Sequence, residues 1–193
     1  IVIVGKDFRF GAGGAGDVSL LHELGQQLGF EVRVIPSATE EGLKVSTSAI
    51  RELLDLGNVS KAARFLGRVH TTVGVVEHGL KIGRTIGFPT ANIEVPKAIC
   101  IPADGVYAGV LTRANGNTHV CAINLGRRPT FYEHADHSLL EAHLLNFDGD
   151  LYGESVRVSF SHFLRGERKF ENIDALKMQL KHDIEQTRAV SGL

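Results

Sequence analysis

The 193-residue sequence has only two cysteines, Cys100 and Cys121, and no long hydrophobic run. Two cysteines without metal-type spacing are too few for the disulfide framework of a small secreted protein, so a reducing cytoplasm is the expected compartment. The apolar run at the start, Ile1 to Val4, is four residues long. Because it has neither a basic leader nor a cleavage pattern, it predicts neither a signal peptide nor a membrane span.

An excess of positive charge is also missing. The formal net charge is −1, whereas a nucleic-acid surface usually needs a concentrated basic stripe. We therefore expect no nucleic-acid partner, no membrane partner and no obligatory protein partner. The residues that are present, 43% hydrophobic and 22% charged, are typical of a globular chain that buries a core, and the length allows one or two domains.

Residues 1–66 alternate strand and helix. The initial apolar run is followed by a helix that begins at Asp17 and stops at Gly29, and then by a strand over 31–35. This is the order of a βαβ unit. Two further helices are predicted before Gly67, at about 47–56 and 60–66.

From residue 67 onward the pattern changes to short alternating segments separated by turn signals, which favours a small closed antiparallel barrel. Asn115-Gly116 predicts a type I′ hairpin, because both residues tolerate positive φ. Tyr107 is expected in the core. A final helix over about 172–187 is expected to pack on the barrel through the stripe Ile173, Leu176, Leu180 and Ile184. The predicted strands are 68–77, 90–95, 105–113, 118–124, 139–147 and 155–164.

A glycine-rich, basic loop covers residues 79–87. Its glycines let backbone N–H groups approach an anion closely, and Lys81 and Arg84 add positive charge, which suits phosphate binding. An ordinary glycine hairpin is the alternative interpretation. The three glycines are Gly79, Gly83 and Gly87.

Two oxygen-bearing side chains, Thr90 and Asn92, follow this loop directly. Because they are two residues apart, a strand beginning near Thr90 turns both side chains to one side. Hard oxygen ligands of this kind suit Mg²⁺ held between protein and nucleotide phosphates. The loop and the pair together predict a site for a metal-bound nucleotide.

Glu141 lies within the apolar strand Leu139-Leu140-Glu141-Ala142-His143-Leu144-Leu145, where a carboxylate needs a purpose or a partner. A salt bridge to a neighbouring strand is the structural alternative to a role as general base. His143 shares the face of Glu141 and would either orient it or fill the barrel wall.

Several motifs in the second part of the chain carry a family resemblance. The string Gly-x-x-x-Gly-Arg-x-x-Gly-Phe-Pro-Thr-Ala-Asn over 79–92 resembles the signature of riboflavin kinase, usually the C-terminal module of a bacterial bifunctional riboflavin kinase/FAD synthetase. Further matches extend the resemblance from about Gly67 to the C-terminus. They are Gly105-Val106-Tyr107, Asn124-Leu125-Gly126-Arg127-Arg128-Pro129-Thr130-Phe131, Glu141-Ala142-His143, Asp150-Leu151-Tyr152-Gly153 and residues 163–170.

The resemblance implies an α+β chain in which residues 67–193 form a six-stranded, Greek-key-like riboflavin kinase barrel with a C-terminal helix. It implies transfer of the γ-phosphoryl group of ATP to the 5′-hydroxyl of riboflavin, giving FMN and ADP. In that reaction Glu141 would act as general base, and Thr90 and Asn92 would hold Mg²⁺.

The resemblance also implies ligand contacts from two loops. Arg165 and Phe170, between the last strand and the final helix, would contact flavin and nucleotide, although a solvated charged turn fits the same residues. Asn124 and Arg127 belong to the other loop and are expected to bind ligand as well.

Residues 11–16 fit the dinucleotide pattern G-x-G-x-x-G. Two features oppose that interpretation: the first strand ends too early, near Gly5, and the second strand ends at Ile35-Pro36 without the acid that binds ribose. Residues 4–11 are instead similar to the flavin-adenylylating half of the bifunctional family.

Residues 45–51 resemble the late triphosphate-binding motif of that half, although a helix N-cap cluster with a surface arginine is the plainer alternative. The resemblance implies that residues 1–66 are a C-terminal remnant of a Rossmann-like adenylyltransferase (FAD synthetase) domain, truncated to about its last third. Because the family's early His-containing loop is missing, we expect no FAD synthesis.

Three functions are compatible with these patterns. Riboflavin phosphorylation is the leading one. FMN adenylylation and a non-catalytic flavin-binding barrel, in which the Thr90–Asn92 pair serves only structure, are the alternatives. ATP-dependent appearance of FMN separates the kinase from the binder.

Overall fold

The computed structural model describes residues 1–79, 82–96, 98–127 and 138–192. The chain divides into two compact units, residues 1–46 and 47–193. This division comes earlier than the 66/67 boundary expected from the sequence. The difference has a packing cause, since Leu54, Val59 and Ala62 belong to the hydrophobic core of the second unit.

The first unit is a βαβ arrangement, as predicted. Strands β1 (Val2–Gly5) and β2 (Val32–Ile35) pair in parallel, and helix α1 (Val18–Leu28) connects them. The Asp17 carboxylate accepts a hydrogen bond from the Leu20 N–H at 3.0 Å, and Gly29 ends the helix in the left-handed region. A small hairpin follows, formed by β3 (Thr39–Glu40) and β4 (Leu43–Lys44).

The glycine-rich segment of this unit, residues 11–16, forms a small loop held by its own backbone hydrogen bonds. Phe10 and Gly16 exchange two backbone hydrogen bonds, of 3.1 and 2.9 Å, around a single 3₁₀ turn over Ala12–Gly14. The Phe10 ring lies so close to Gly16 that an added Cβ would approach it to 2.7 Å. This local closure accounts for a glycine at residue 16 without any dinucleotide.

The second unit begins with two helices and continues as a closed six-stranded antiparallel barrel. The strand order around the barrel is β10-β5-β6-β9-β8-β7, so β10 lies beside β7 and completes a Greek key. This confirms the predicted barrel. The elements are α2 (Thr47–Asp55), α3 (Val59–Leu66), β5 (His70–Glu77), α4 (Ile82–Thr85), β6 (Ala91–Glu94), β7 (Gly105–Thr112), β8 (Thr118–Arg127), β9 (Ser138–Leu144), β10 (Ser155–Arg165) and α5 (Ile173–Ser191).

The barrel core follows the two-residue period of its strands. In β6, Ala91 and Ile93 are buried while Asn92 and Glu94 are not. Tyr107 is fully buried, donates its hydroxyl to the Ala103 carbonyl at 2.5 Å and packs edge-on to Phe160. Burial raises the pKa of Tyr107 to about 12. The expected core position of Tyr107 is therefore confirmed.

The hairpin between β7 and β8 differs from the predicted type I′ turn. The Arg113 N–H donates to the Asn117 carbonyl at 2.8 Å, which leaves a three-residue loop over 114–116. Gly116 has a φ of 87°, whereas Asn115 is not among the residues with positive φ. The glycine thus serves as the single left-handed residue of a longer loop.

Helix α5 packs against β7, β8 and β10, as expected, but its most buried residues are Asp183 and Thr187. The predicted apolar stripe is only half-buried over most of its length, and Ile173 at its start is 60% exposed. The reason is an ion pair between Asp183 and Arg165 at the centre of the packed face. None of the helices in the described ranges has the length and apolar character that crossing a membrane needs.

The N-cap of α5 gives a stability prediction. Asn172 Oδ1 accepts a hydrogen bond from the Ala175 N–H at 2.8 Å. We expect Asn172→Ala to lower the free energy of unfolding by about 1 kcal/mol, whereas Asn172→Asp keeps the acceptor and changes it little. Urea unfolding followed by circular dichroism measures both. Equal stability of the alanine and aspartate variants would contradict a capping role.

Candidate functional site

Three polar side chains lie next to one another across the barrel wall. Asn92 of β6 is directly opposite Glu141 of β9, and Glu141 is directly opposite Asn124 of β8. Directly opposed residues of antiparallel strands have Cβ atoms about 4.5–5.5 Å apart. The structure thus places the predicted base between two amides, one from the predicted metal pair and one from the predicted ligand loop.

This row lies on the outer face of the wall. The residues adjacent to Glu141 in β9, Leu140 and Ala142, are fully buried in the core, and Glu141 itself is half-buried. The sequence suggested an acid enclosed by apolar residues, which is incorrect. The apolar neighbours point into the barrel while the carboxylate points outward, as the strand period requires.

His143 positions the chain just before Thr90. Its Nδ1–H donates to the Pro89 carbonyl at 2.7 Å, and its ring meets the edge of Phe88 with centroids 6.0 Å apart. The two roles expected for His143 were to orient Glu141 or to fill the barrel wall, and neither included a contact with this loop. The contact joins β9 to the residue that precedes the predicted metal pair.

The glycine loop packs tightly against that pair. A Cβ added to Gly79 would lie 2.5 Å from Asn92 Cγ and 2.6 Å from Asn92 Oδ1, so only glycine admits the amide in this position. A Cβ on Gly83 would collide with the Phe88 backbone carbonyl. Gly87 follows the short helix α4 and donates its N–H to the Arg84 carbonyl at 3.3 Å. Lys81 lies outside the described residues.

A cavity of about 360 Å³ adjoins the loop and the pair. Arg84, Thr90 and Asn92 line it together with residues of the connection between β9 and β10. The volume is within the range of small-ligand pockets. The structure therefore brings together the predicted phosphate-binding arginine and both predicted metal ligands, while Glu141 lies beside Asn92 rather than among the lining residues.

The β9–β10 connection is a part of the cavity lining that was not predicted. Residues 147–152 of this connection line the cavity, including Asp148, Asp150 and Tyr152. Asp150 Oδ1 accepts a hydrogen bond from the Tyr152 N–H at 2.9 Å, which fixes the turn. The signal that could have identified this segment is the Asp150-Leu151-Tyr152-Gly153 motif, together with the turn-forming Asp148-Gly149-Asp150 between two strands.

Arg165 is held by the C-terminal helix. Its Nε and Nη2 donate to the Asp183 carboxylate at 2.9 and 2.8 Å, and its Nη1 donates to the Gly166 carbonyl at 3.0 Å. Phe170 lies with its ring centroid 5.8 Å from the guanidinium carbon. Both residues form an anchor at the end of β10, and ligand contact from them stays a prediction. Arg127 ends β8, and its side chain lies outside the described residues, as do residues 128–131 of the same motif.

The donor set fits a hard divalent ion only in part. Thr90 and Asn92 offer two neutral oxygens, and magnesium sites of this kind take further ligands from substrate phosphates and water. Within the described ranges, no group of three or more His, Cys, Asp or Glu residues is arranged to hold a metal. A metal at this pair would therefore depend on an anionic ligand that supplies the remaining oxygens.

Fold and site define a closed Greek-key barrel with a small-ligand cavity lined by residues of β5, β6 and β9 and of the β9–β10 connection. A model of the riboflavin kinase family matches residues 66–191, and the chain belongs to that family. A model of FAD synthetase matches residues 1–49.

Relatives are similar over nearly the whole chain. The bifunctional riboflavin kinase/FMN adenylyltransferase of Haemophilus influenzae is 38% identical over 96% of this chain and 59% of its own length. The protein of the same name from Listeria monocytogenes is 39% identical over 97% of this chain and 59% of its own. The chain thus spans about three fifths of the length of these relatives.

A solved structure with the same fold is named as a macrolide-efflux protein from Streptococcus pneumoniae. It has a TM-score of 0.84 and 33% identity, and the match covers 96% of this chain and 60% of that chain. This likeness concerns the fold, and the family model and both sequence relatives carry a different name.

Proposed function

We propose that this chain phosphorylates riboflavin, transferring the γ-phosphoryl group of ATP to the 5′-hydroxyl and giving FMN and ADP. The observation that carries the proposal is the register that places Glu141 directly opposite Asn92 on the outer barrel wall. Asn92 also lines a cavity that holds Arg84 and Thr90. Family membership supports riboflavin and ATP as the substrates, and the cavity with the adjacent Glu141 supports the proposed roles of these residues.

The cavity is the proposed nucleotide site. Arg84 would neutralise phosphate charge, and backbone N–H groups of the glycine loop would approach the same oxygens. Thr90 and Asn92 would hold Mg²⁺ through Oγ1 and Oδ1, and a bound magnesium ion would withdraw charge from the phosphates during transfer. The closeness of Gly79 to the Asn92 amide supports this role, since it brings the start of the loop next to the proposed ligand.

Glu141 is the proposed general base. From its place between Asn92 and Asn124 it would accept the proton of the riboflavin 5′-hydroxyl as the oxygen attacks the γ-phosphorus. The two flanking amides are neutral, so they can orient the hydroxyl without neutralising the carboxylate. Riboflavin, the phosphoryl acceptor, would lie on the outer wall beside the cavity, with its 5′-hydroxyl between the side chains of Glu141 and Asn92.

The test of this function is ATP-dependent formation of FMN by the purified chain, with Mg²⁺ removed in a parallel sample. We expect FMN and ADP to appear together, EDTA to stop the reaction, and excess Mg²⁺ to restore it. Riboflavin binding, followed by flavin fluorescence, is measured in both samples. Binding without FMN formation at any Mg²⁺ concentration would identify the non-catalytic barrel instead.

FMN adenylylation is the second candidate, favoured by the FAD synthetase match over residues 1–49 and by the names of the relatives. On this proposal residues 1–66 form the adenylyltransferase segment and residues 67–193 the kinase. Thr47 begins α2 and Arg51 is exposed in that helix, as a triphosphate-binding motif would require. Incubation with FMN and ATP, followed by separation of FMN from FAD, measures this activity directly.

We also propose a cytoplasmic location, with riboflavin, FMN, ATP and ADP as the small-molecule partners. The two cysteines are free thiols, and burial raises the pKa of Cys121 to about 12, which keeps it protonated and unreactive. Both observations are consistent with a reducing compartment.

A further inference from the structure

Strand β10 ends level with the row that contains Glu141. Arg165 is opposite Val106 of β7, and Val106 is opposite Asn124, the neighbour of Glu141. Residues 166–172, which we call the anchor loop, leave the barrel at this level and lead to α5. The loop therefore starts at the same height on the barrel as the proposed acceptor site.

A buried ion pair fixes the start of the anchor loop. The Asp183 side chain is 2% exposed and accepts three hydrogen bonds from Arg165 and one from Gln179 Nε2 at 2.7 Å. A buried carboxylate without its partner is strongly unfavourable, so the pair holds Arg165 in one position. The Arg165 Nη1 bond to the Gly166 carbonyl then sets the direction in which the loop leaves.

The next residue of the loop, Glu167, lies over the outer wall at Gly126. A Cβ added to Gly126 would meet Glu167 Oε1 first and Cδ at 3.2 Å, and the three nearest atoms to it all belong to the Glu167 carboxyl group. Gly126 is two residues from Asn124 along β8 and shares its outward face. The Glu167 carboxylate therefore lies on the same wall as Glu141, about 7 Å further along the strand direction.

We propose that Glu167 binds the polyhydroxylated tail of the acceptor, and that the Arg165–Asp183 pair positions it. This inference rests on the proposed function, in which the terminal hydroxyl of that tail lies at Glu141. A ribityl chain that runs from Glu141 along β8 reaches Glu167 at its other end. The carboxylate accepts hydrogen bonds from hydroxyl groups there, while Gly126 leaves the space that the carboxylate occupies.

Gly126 offers a probe that separates position from stability. Because the nearest atoms to an added Cβ, among the described residues, belong to the end of the flexible Glu167 side chain, Gly126→Ala is expected to displace the carboxylate without moving the backbone. Glu167→Gln keeps the shape and removes the charge. Glu171→Gln, an exposed acid of the same loop, is the matched control.

The experiment measures steady-state kinetics and riboflavin binding for the full chain and these variants. We expect Glu167→Gln and Gly126→Ala each to raise KM for riboflavin about tenfold, the effect of losing a hydrogen bond to a charged group. In both variants KM for ATP and kcat stay within twofold of the parent values, and the urea midpoint is unchanged. Glu171→Gln has the same kinetics as the parent chain. The double variant binds riboflavin no more weakly than either single variant, since the two substitutions remove the same contact.

Asp183→Asn tests the positioning step. We expect it to raise KM for riboflavin with kcat retained at a temperature where the variant is folded. Unchanged riboflavin affinity in Glu167→Gln and Gly126→Ala would overturn the proposal. If Asp183→Asn lowers stability but leaves KM for riboflavin unchanged, the ion pair only attaches α5 to the barrel and does not position Glu167. Riboflavin binding is also read by fluorescence without ATP, so the loss of binding remains measurable even if the parent chain forms no FMN.

Discussion

Glu141→Gln lowers kcat for FMN formation by about 10²–10⁴-fold, the usual contribution of a positioned general base. The substitution keeps the size of the side chain and its place between Asn92 and Asn124, but an amide cannot accept the hydroxyl proton. Because glutamine keeps the size of the side chain on the outward face of β9, the variant is expected to fold. Riboflavin binding, measured by fluorescence titration, is therefore retained.

The matched control is Glu94→Gln. Glu94 is an exposed acid on the outward face of β6, two residues beyond Asn92, and it pairs with Val75 rather than with β9. We expect its kcat to equal that of the parent chain. Near-normal turnover in Glu141→Gln would refute the assignment of the base, and an equal loss in both variants would show that surface charge alone is responsible.

Asn92→Ala is expected to lower kcat/KM for ATP about 10²–10³-fold, as when one preorganised polar contact to the transferring group is removed. The reason is that the amide is the only side chain shared by the cavity lining and the Glu141 row. The variant also removes one of two proposed oxygen ligands, so a higher Mg²⁺ concentration is needed for half-maximal rate.

The control for this variant is Asn117→Ala, at an exposed asparagine of the β7–β8 hairpin. Its rate and its Mg²⁺ dependence are expected to match the parent. A normal Mg²⁺ dependence in Asn92→Ala, with the rate loss present, would contradict the metal role and leave Asn92 as a contact to substrate alone. A normal rate would contradict both.

Local patterns predicted most of the secondary structure because their physical causes are local. The alternation of Ala91 to Glu94 sets a strand with one buried face, and the same alternation occurs in β5 and in the first half of β10. The Asp17 cap and the Gly29 stop likewise depend only on neighbouring backbone groups. The predicted barrel with a C-terminal helix follows from these elements and the family resemblance.

Features that depend on contacts between distant residues were not predicted. The outward position of Glu141 follows from strand register, and the Arg165–Asp183 pair joins residues 18 positions apart in sequence. An apolar stripe on α5 gave no sign that a carboxylate occupies the centre of its packed face. The domain boundary differed for a similar reason, because α2 and α3 contribute core residues to the barrel unit.

The candidate site was predicted in part. Arg84, Thr90 and Asn92 share a cavity as their spacing suggested, because a loop and the strand that follows it are close in sequence. Residues 147–152 line the same cavity from more than fifty residues away in sequence, and the closure of the barrel brings them there. The hydrogen bond from His143 to Pro89 has the same origin.

Transfer of the labelled γ-phosphate of ATP to riboflavin, in a single turnover with the parent chain and Glu141→Gln, tests the central claim most directly. The arrangement of Glu141 beside Asn92 predicts that the parent places the label in FMN, with one FMN for each ADP, and that the variant binds riboflavin but transfers almost none. Label released only as inorganic phosphate by the parent, or equal transfer by both chains, would contradict it.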